Sequence, residues 1–145
     1  MPPALLEDVS HVIQLSIAPV FLLTAVGTFI NVMSTRLARI VDRARVLRER
    51  QTQGDAAARA EVVSELHVLA RRRRLVNAAI TSGVTSALLV CLLIAVAFVG
   101  SIFGMHLALL LAVLFIAAML ALVGALVWFL REIFLAVRSV AIEAK

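Results

Sequence analysis

The sequence is poor in the residues that most often carry out chemistry. It has a single cysteine, Cys91, which lies inside a long apolar run, so an intramolecular disulfide is excluded. It has no glycine-rich phosphate-binding loop, no cluster of cysteine and histidine ligands, and no Ser/His/Asp arrangement typical of a hydrolase. We therefore do not expect an enzyme, a cofactor or a resident metal ion.

Basic residues are absent from the first part of the chain. No lysine or arginine precedes Arg36, and eleven arginines then fall between positions 36 and 74. The opening segment instead carries Glu7 and Asp8, and an acidic start does not match a cleaved signal peptide. A net charge of +5 would suggest nucleic-acid binding in a soluble protein. Because the basic residues here flank apolar runs, no nucleic-acid partner is predicted.

Apolar residues dominate the composition. They make up 63% of the chain, whose mean hydropathy is +1.06, against roughly 45–50% apolar residues in soluble domains. Three runs, at 12–35, 75–99 and 107–130, are each long enough to cross a lipid bilayer, which takes about 20 apolar residues. The sequence therefore predicts an all-α membrane protein with three transmembrane helices, organised as a single membrane domain over residues 1–145.

The positive charges predict how these helices are oriented. Arginine and lysine near helix ends remain on the cytoplasmic side, which places segment 36–74 and the tail after Trp128 inside and the N-terminus outside. Apolar residues such as Ile40 and Leu47 recur on one helical face, and Gly54 interrupts the pattern. We expect a cytoplasmic helical hairpin between the first and second transmembrane helices that contributes to assembly and whose arginines contact anionic lipids.

The first transmembrane segment carries a polar face. Its members fall within an arc of about 100° on a helix of 3.6 residues per turn, and those inside the span are Gln14, Thr24, Thr28, Asn31 and Thr35. Polar side chains that face lipid cost free energy, so protein or water should cover this arc. The members either hydrogen-bond between helices, each contact contributing about 0.6 to 2 kcal/mol, or line an aqueous path shared by a homo-oligomer.

Charged and amide side chains continue the pattern at the cytoplasmic ends of the first two transmembrane helices. They are Arg39, Asp42, Arg43, Arg74 and Asn77. These residues are candidates for the mouth of a path or for structural ion pairs, and Asp42 is expected to pair with a nearby arginine. Both signs of charge occur there, so the pattern predicts no ion selectivity.

Several short stretches resemble a known family. They are APVFL at 18–22, Asn31, RLARIVDR at 36–43 and RRLVNAAI at 73–80. Over about residues 9–134, the chain resembles a family of uncharacterised bacterial membrane proteins that is described only as a domain of unknown function. The resemblance implies a three-helix protein of the bacterial inner membrane. It implies no activity, so the functional hypotheses rest on the residue patterns.

Two functions are consistent with these patterns. The first is a homo-oligomeric membrane channel or permeation protein in which the first helix lines an aqueous path for ions. The alternative is a non-conducting membrane scaffold or adaptor whose basic cytoplasmic hairpin binds a partner or anionic lipid. Oligomeric state separates them: a closed ring with polar residues on its axis favours permeation, and a monomer or compact dimer favours the scaffold.

Overall fold

Three long helices make up the fold. The computed structural model describes the backbone of residues 3–51 and 56–143, and the side chains of residue 10, 13–14, 16–51 and 59–137. Helix α1 spans Pro3–Gln51, α2 spans Ala56–Phe103, and α3 spans Ala108–Glu143. Each contains a stretch long and apolar enough to cross a membrane. The predicted all-α chain with three membrane-spanning helices is confirmed.

Helices α1 and α2 both extend well beyond their apolar runs. Helix α1 continues through Pro19 and the first basic block to Gln51, and α2 begins before the Arg71 to Arg74 block. Both arms of the predicted hairpin are therefore continuations of the membrane helices. The predicted break at Gly54 lies outside the described residues.

A glycine ends α2. Gly104 has a φ of +62°, a left-handed conformation that glycine adopts without the steric cost of a Cβ. The Gly104 N–H donates to the Ser101 carbonyl at 3.4 Å, and the Met105 N–H donates to the Gly100 carbonyl at 2.9 Å. These two bonds form a Schellman motif. They satisfy the Gly100 and Ser101 carbonyls near the end of α2, and the chain then turns towards α3.

The chain divides into two compact units. The first comprises residues up to Ile30 together with Ser82–Gly124. Its helices pack through small and hydroxyl side chains: the Ser82 hydroxyl donates to the Ala121 carbonyl at 2.6 Å, and the Ser86 hydroxyl donates to the Ala118 carbonyl at 2.8 Å. In an apolar surrounding such bonds hold α2 against α3, where small residues allow close approach.

The second unit comprises Asn31–Thr81 and the residues from Ala125 onward. Its buried apolar residues are Met33, Ile40, Leu47, Leu69, Val76, Ala79 and Ala125. Positions 33, 40 and 47 on α1 and positions 69 and 76 on α2 are seven residues apart. This period keeps one face of a helix against its neighbours. On α3, the position seven residues after Ala125 is Glu132, which is also buried.

Candidate functional site

A buried carboxylate joins the three helices within the second unit. Glu132 on α3 is 0% exposed. Its Oε2 accepts a hydrogen bond from Nη1 of Arg36 on α1 at 3.1 Å. Its Oε1 accepts two from Arg72 on α2, from Nε at 3.2 Å and from Nη2 at 2.8 Å. Both carboxylate oxygens therefore have charged donors.

Pairing makes the burial of this charge tolerable. An ionised carboxylate removed from water loses several kilocalories per mole of hydration, and only well-placed opposite charges and hydrogen bonds recover it. Two guanidiniums against one carboxylate leave a net charge of 2 − 1 = +1 on the cluster. Arg36 also lies over the ring of Phe129, 5.2 Å from its centroid. The side chains of Arg36 and Arg72 are 40% and 23% exposed, so the excess positive charge reaches the surface.

Sequence reasoning missed this cluster. It treated Arg36 and Arg72 as members of basic blocks and gave Glu132 no role. Two signals were nevertheless present. Glu132 is the single acid in the apolar stretch Ala108–Val137, and it continues the seven-residue spacing of Ala118 and Ala125. An acid at a packing position needs a cation from a neighbouring helix.

The polar arc of α1 lies on the surface of the chain. All five predicted path-lining residues are exposed: Gln14, Thr24, Thr28, Asn31 and Thr35. The buried positions of α1, including Val26 and Met33, belong to another face. The arc therefore takes no part in packing the chain on itself, within the described residues.

The threonines of the arc bond to their own helix. The hydroxyls of Thr24, Thr28 and Thr35 each donate to the carbonyl four residues earlier, at 3.3, 3.0 and 3.0 Å. This satisfies their donors and leaves the acceptor side of each oxygen free to bind water or a cation. The Asn31 side-chain amide, by contrast, has no hydrogen-bond partner among the side chains and backbone that the structure describes.

The five predicted mouth residues are also exposed, but they do not form one cluster. They are Arg39, Asp42, Arg43, Arg74 and Asn77. The Nε of Arg43 pairs with Oε1 of Glu65 at 2.9 Å, linking α1 and α2. Because both side chains keep contact with solvent, this pair contributes about 0 to 1 kcal/mol. Asp42 has no ion pair within residues 16–51 and 59–137.

Arg74 and Asn77 line a groove between α1 and α2, which we call the α1/α2 groove. Its volume is about 870 Å³, and its floor includes the buried side chains of Ile40 and Leu69. Its charged lining residues are Arg45, Arg48, Arg73, Arg74 and Glu49. The groove thus combines an apolar floor with a net positive rim.

Ligands for a metal ion are sparse in the described part of the chain. Among those side chains, no three of the types His, Cys, Asp and Glu lie close enough together to hold one. Cys91 is exposed on the surface of α2.

Comparison with known proteins places the chain in a family. None of the curated proteins and none of the solved structures matches it. A family model described as "Protein of unknown function (DUF2721)" matches residues 16–142, which include the Glu132 cluster and most of the polar arc. The match confirms the resemblance to a family of unknown function. This membrane-embedded helical protein belongs to the DUF2721 family.

Proposed function

We propose that this protein forms a homo-oligomer in the bacterial inner membrane and that α1 lines a shared aqueous path through which ions pass. The observation that carries the proposal is the exposure of Gln14, Thr24, Thr28, Asn31 and Thr35 on a chain whose own packing uses another face of α1. In lipid this arc needs a cover. Further copies of α1, arranged around water, supply one.

Asn31 is the residue of the arc that most needs protein or water around it, because its side-chain amide lacks a hydrogen-bond partner among the described residues. Burying an amide without a hydrogen bond costs roughly 2–7 kcal/mol, depending on the reference medium. Its nearest neighbours on the arc, Thr28 and Thr35, stand about one helical turn away on either side. Their hydroxyls already donate within α1, so they offer oxygens that accept. A row of acceptor oxygens around an amide suits water and cations.

Conductance measurements test the path. Purified protein in planar bilayers should conduct, and Asn31→Leu should lower the current by about tenfold or more, because an apolar ring at a constriction expels water. The matched control is Val32→Leu, which changes an exposed apolar residue next to Asn31 without removing a polar group. Its current should stay close to that of the unmodified protein.

Two results would contradict the path. One is a silent bilayer from protein that is folded and inserted. The other is protection of cysteines at Thr24, Thr28 and Asn31 from a water-soluble thiol reagent, which would mean that the arc packs between helices. In that case the unmodified protein should carry no current, and Asn31→Leu should change only the stability of the fold.

The proposed orientation has the N-terminus outside and the hairpin of 36–74 in the cytoplasm, as the arginine distribution favours. We expect Met105→Cys to react with an impermeant thiol reagent added outside and Ser64→Cys to be protected. Both residues are exposed, and Met105 avoids the left-handed backbone of Gly104. The native Cys91 is exposed and is first replaced by alanine. The reverse labelling pattern would overturn the orientation.

A second candidate function is a scaffold that docks an acidic cytosolic partner. The α1/α2 groove favours it, because four arginines surround an apolar floor and none of them pairs with a carboxylate in residues 16–51 and 59–137. An acidic amphipathic helix would match both properties. Silent bilayers together with a monomeric or dimeric protein would favour this function.

A further inference from the structure

A different groove lies between α2 and α3 in the second unit, and we call it the α2/α3 groove. It has a volume of about 630 Å³ and is lined by Arg71, Leu75, Trp128, Arg131, Phe134 and Leu135. A neighbouring hollow of about 510 Å³ shares Arg71 and Leu135 with it and adds Arg74. Three arginines therefore face a surface that is otherwise largely apolar.

These arginines are available to a ligand. Arg71, Arg74 and Arg131 are exposed, and none of them pairs with a carboxylate within residues 16–51 and 59–137. Glu132 adjoins Arg131 in the sequence, but it is buried in the core and held by Arg36 and Arg72. The two arginines of the α2/α3 groove, Arg71 and Arg131, thus give it a positive charge, and Arg74 adds a third positive charge in the neighbouring hollow.

Arg131 lies over an aromatic ring. Its guanidinium carbon lies 5.4 Å from the centroid of Trp128, a distance typical of a cation–π contact. A guanidinium that stacks on a ring keeps its N–H edge free to donate, and that edge matches the oxygens of a phosphate. Arg71 lies across the same groove on α2.

The α2/α3 groove lies at the ends of the apolar runs of α2 and α3, where arginines adjoin them. Arg71 lies four residues before the apolar run that starts at Leu75, and Trp128 and Arg131 lie at the end of the run on α3. Tryptophan and arginine at such positions are typical of the headgroup level of a membrane. A ligand at this level has a charged part and an apolar part, as the lining does.

We propose that the α2/α3 groove binds an anionic phospholipid, with its phosphate between Arg71 and Arg131 and its acyl chains along Leu75 and Trp128. The charge of the groove selects an anion, and its apolar lining distinguishes a lipid from a free phosphate. This site is separate from the proposed path on α1. A lipid bound here would bridge α2 and α3 beside the Glu132 cluster.

The single tryptophan provides the test, since Trp128 lines the groove. The full-length protein is placed in phosphatidylcholine vesicles that contain either brominated phosphatidylglycerol or brominated phosphatidylcholine at the same mole fraction. Bromine quenches tryptophan only on contact. We expect the anionic lipid to quench Trp128 with an apparent affinity about tenfold higher than the zwitterionic lipid, because two guanidiniums contact the phosphate.

Variants that lose the same charge at different places distinguish lipid binding in the α2/α3 groove from a general attraction of anionic lipid to the basic chain. Arg71→Gln combined with Arg131→Gln should reduce the preference for the anionic lipid to near unity. Arg50→Gln combined with Arg59→Gln removes the same charge from exposed positions outside the groove and should keep the preference. Should the first pair fail to fold, as judged by circular dichroism, Arg71→Gln alone leaves the contact of Arg131 with Trp128 intact and should lower the preference severalfold.

Three results would overturn the proposal. Equal quenching by the two lipids would mean that the groove does not select charge. Equal loss of preference in both double variants would mean that only the overall charge of the chain attracts lipid. An absence of quenching by either lipid would mean that a second copy of the chain covers Trp128.

Discussion

Replacing Glu132 by alanine is expected to destabilise the folded chain by about 3 kcal/mol or more, the cost of leaving partly buried charges without their partner. The carboxylate accepts three hydrogen bonds from arginines on two other helices, and its burial is complete. Its removal leaves Arg36 and Arg72 facing each other without an intervening negative charge. Repulsion between them then adds to the loss of the three bonds.

Two substitutions calibrate this effect. Glu132→Gln keeps an acceptor and the side-chain volume but loses the charge, so it should fall between alanine and the unmodified protein. Glu65→Ala removes the carboxylate of an exposed ion pair with Arg43 and should cost less than about 1 kcal/mol. The measurement is reversible unfolding in mixed detergent micelles, followed by circular dichroism.

A double-mutant cycle then assigns the energy to the pair. Arg72→Gln alone and Glu132→Gln alone should each destabilise the chain, and the double variant should cost less than their sum. The coupling arises because Glu132 loses one of its two arginines in Arg72→Gln, whereas both arginines lose their carboxylate in Glu132→Gln. Additive costs, or a Glu132→Ala variant as stable as Glu65→Ala, would show that the cluster contributes little to the fold.

The three helices were predictable from sequence because their signal is large. Each apolar run exceeds the length needed to cross a bilayer. The long basic segment 36–74 and the short segment 100–106 separate the runs. The continuation of α1 into its basic arm was predictable as well, since Ile40 and Leu47 keep the helical period beyond the apolar run.

The Glu132 cluster was not predicted because α3 gives no contrast between its faces. Nearly every residue from 108 to 130 is apolar, so periodicity cannot show which side packs inward. The face becomes visible only when Ala118 and Ala125 are found buried and Glu132 is found in line with them. The pairing of its carboxylate also depends on the rotation of three helices, which no single segment encodes.

For the polar arc of α1, the sequence shows which face the residues share but not how they bond. Its spacing places Thr24, Thr28, Asn31 and Thr35 on one face, and the structure leaves all of them exposed. Sequence alone does not show that the threonine hydroxyls donate to their own helix. This local bonding reduces what the threonines require from neighbours and leaves Asn31 as the residue that most needs a partner.

Replacing Leu47 by aspartate should unfold the arm of α1 that carries it. Sequence reasoning expected the apolar face of the hairpin to contribute to assembly, but Leu47 is 2% exposed and Ile40 is 5% exposed within one chain. Removing a buried leucine side chain costs about 2–5 kcal/mol. An unpaired carboxylate at the same place adds its own desolvation cost. We expect these two costs together to unfold the arm.

The matched control is the neighbouring residue. Val46 lies next to Leu47 on the exposed side of α1, and Val46→Asp introduces the same charge without emptying the core. Amide hydrogen exchange should show protection lost along residues 40–50 and 66–76 in Leu47→Asp and retained in Val46→Asp. If Leu47→Asp instead kept this protection while the oligomer dissociated in mild detergent, the face would serve contacts between copies. Loss of protection in Leu47→Asp alone would place its main role inside the chain, where it holds α1 and α2 together beside the Arg43 and Glu65 pair.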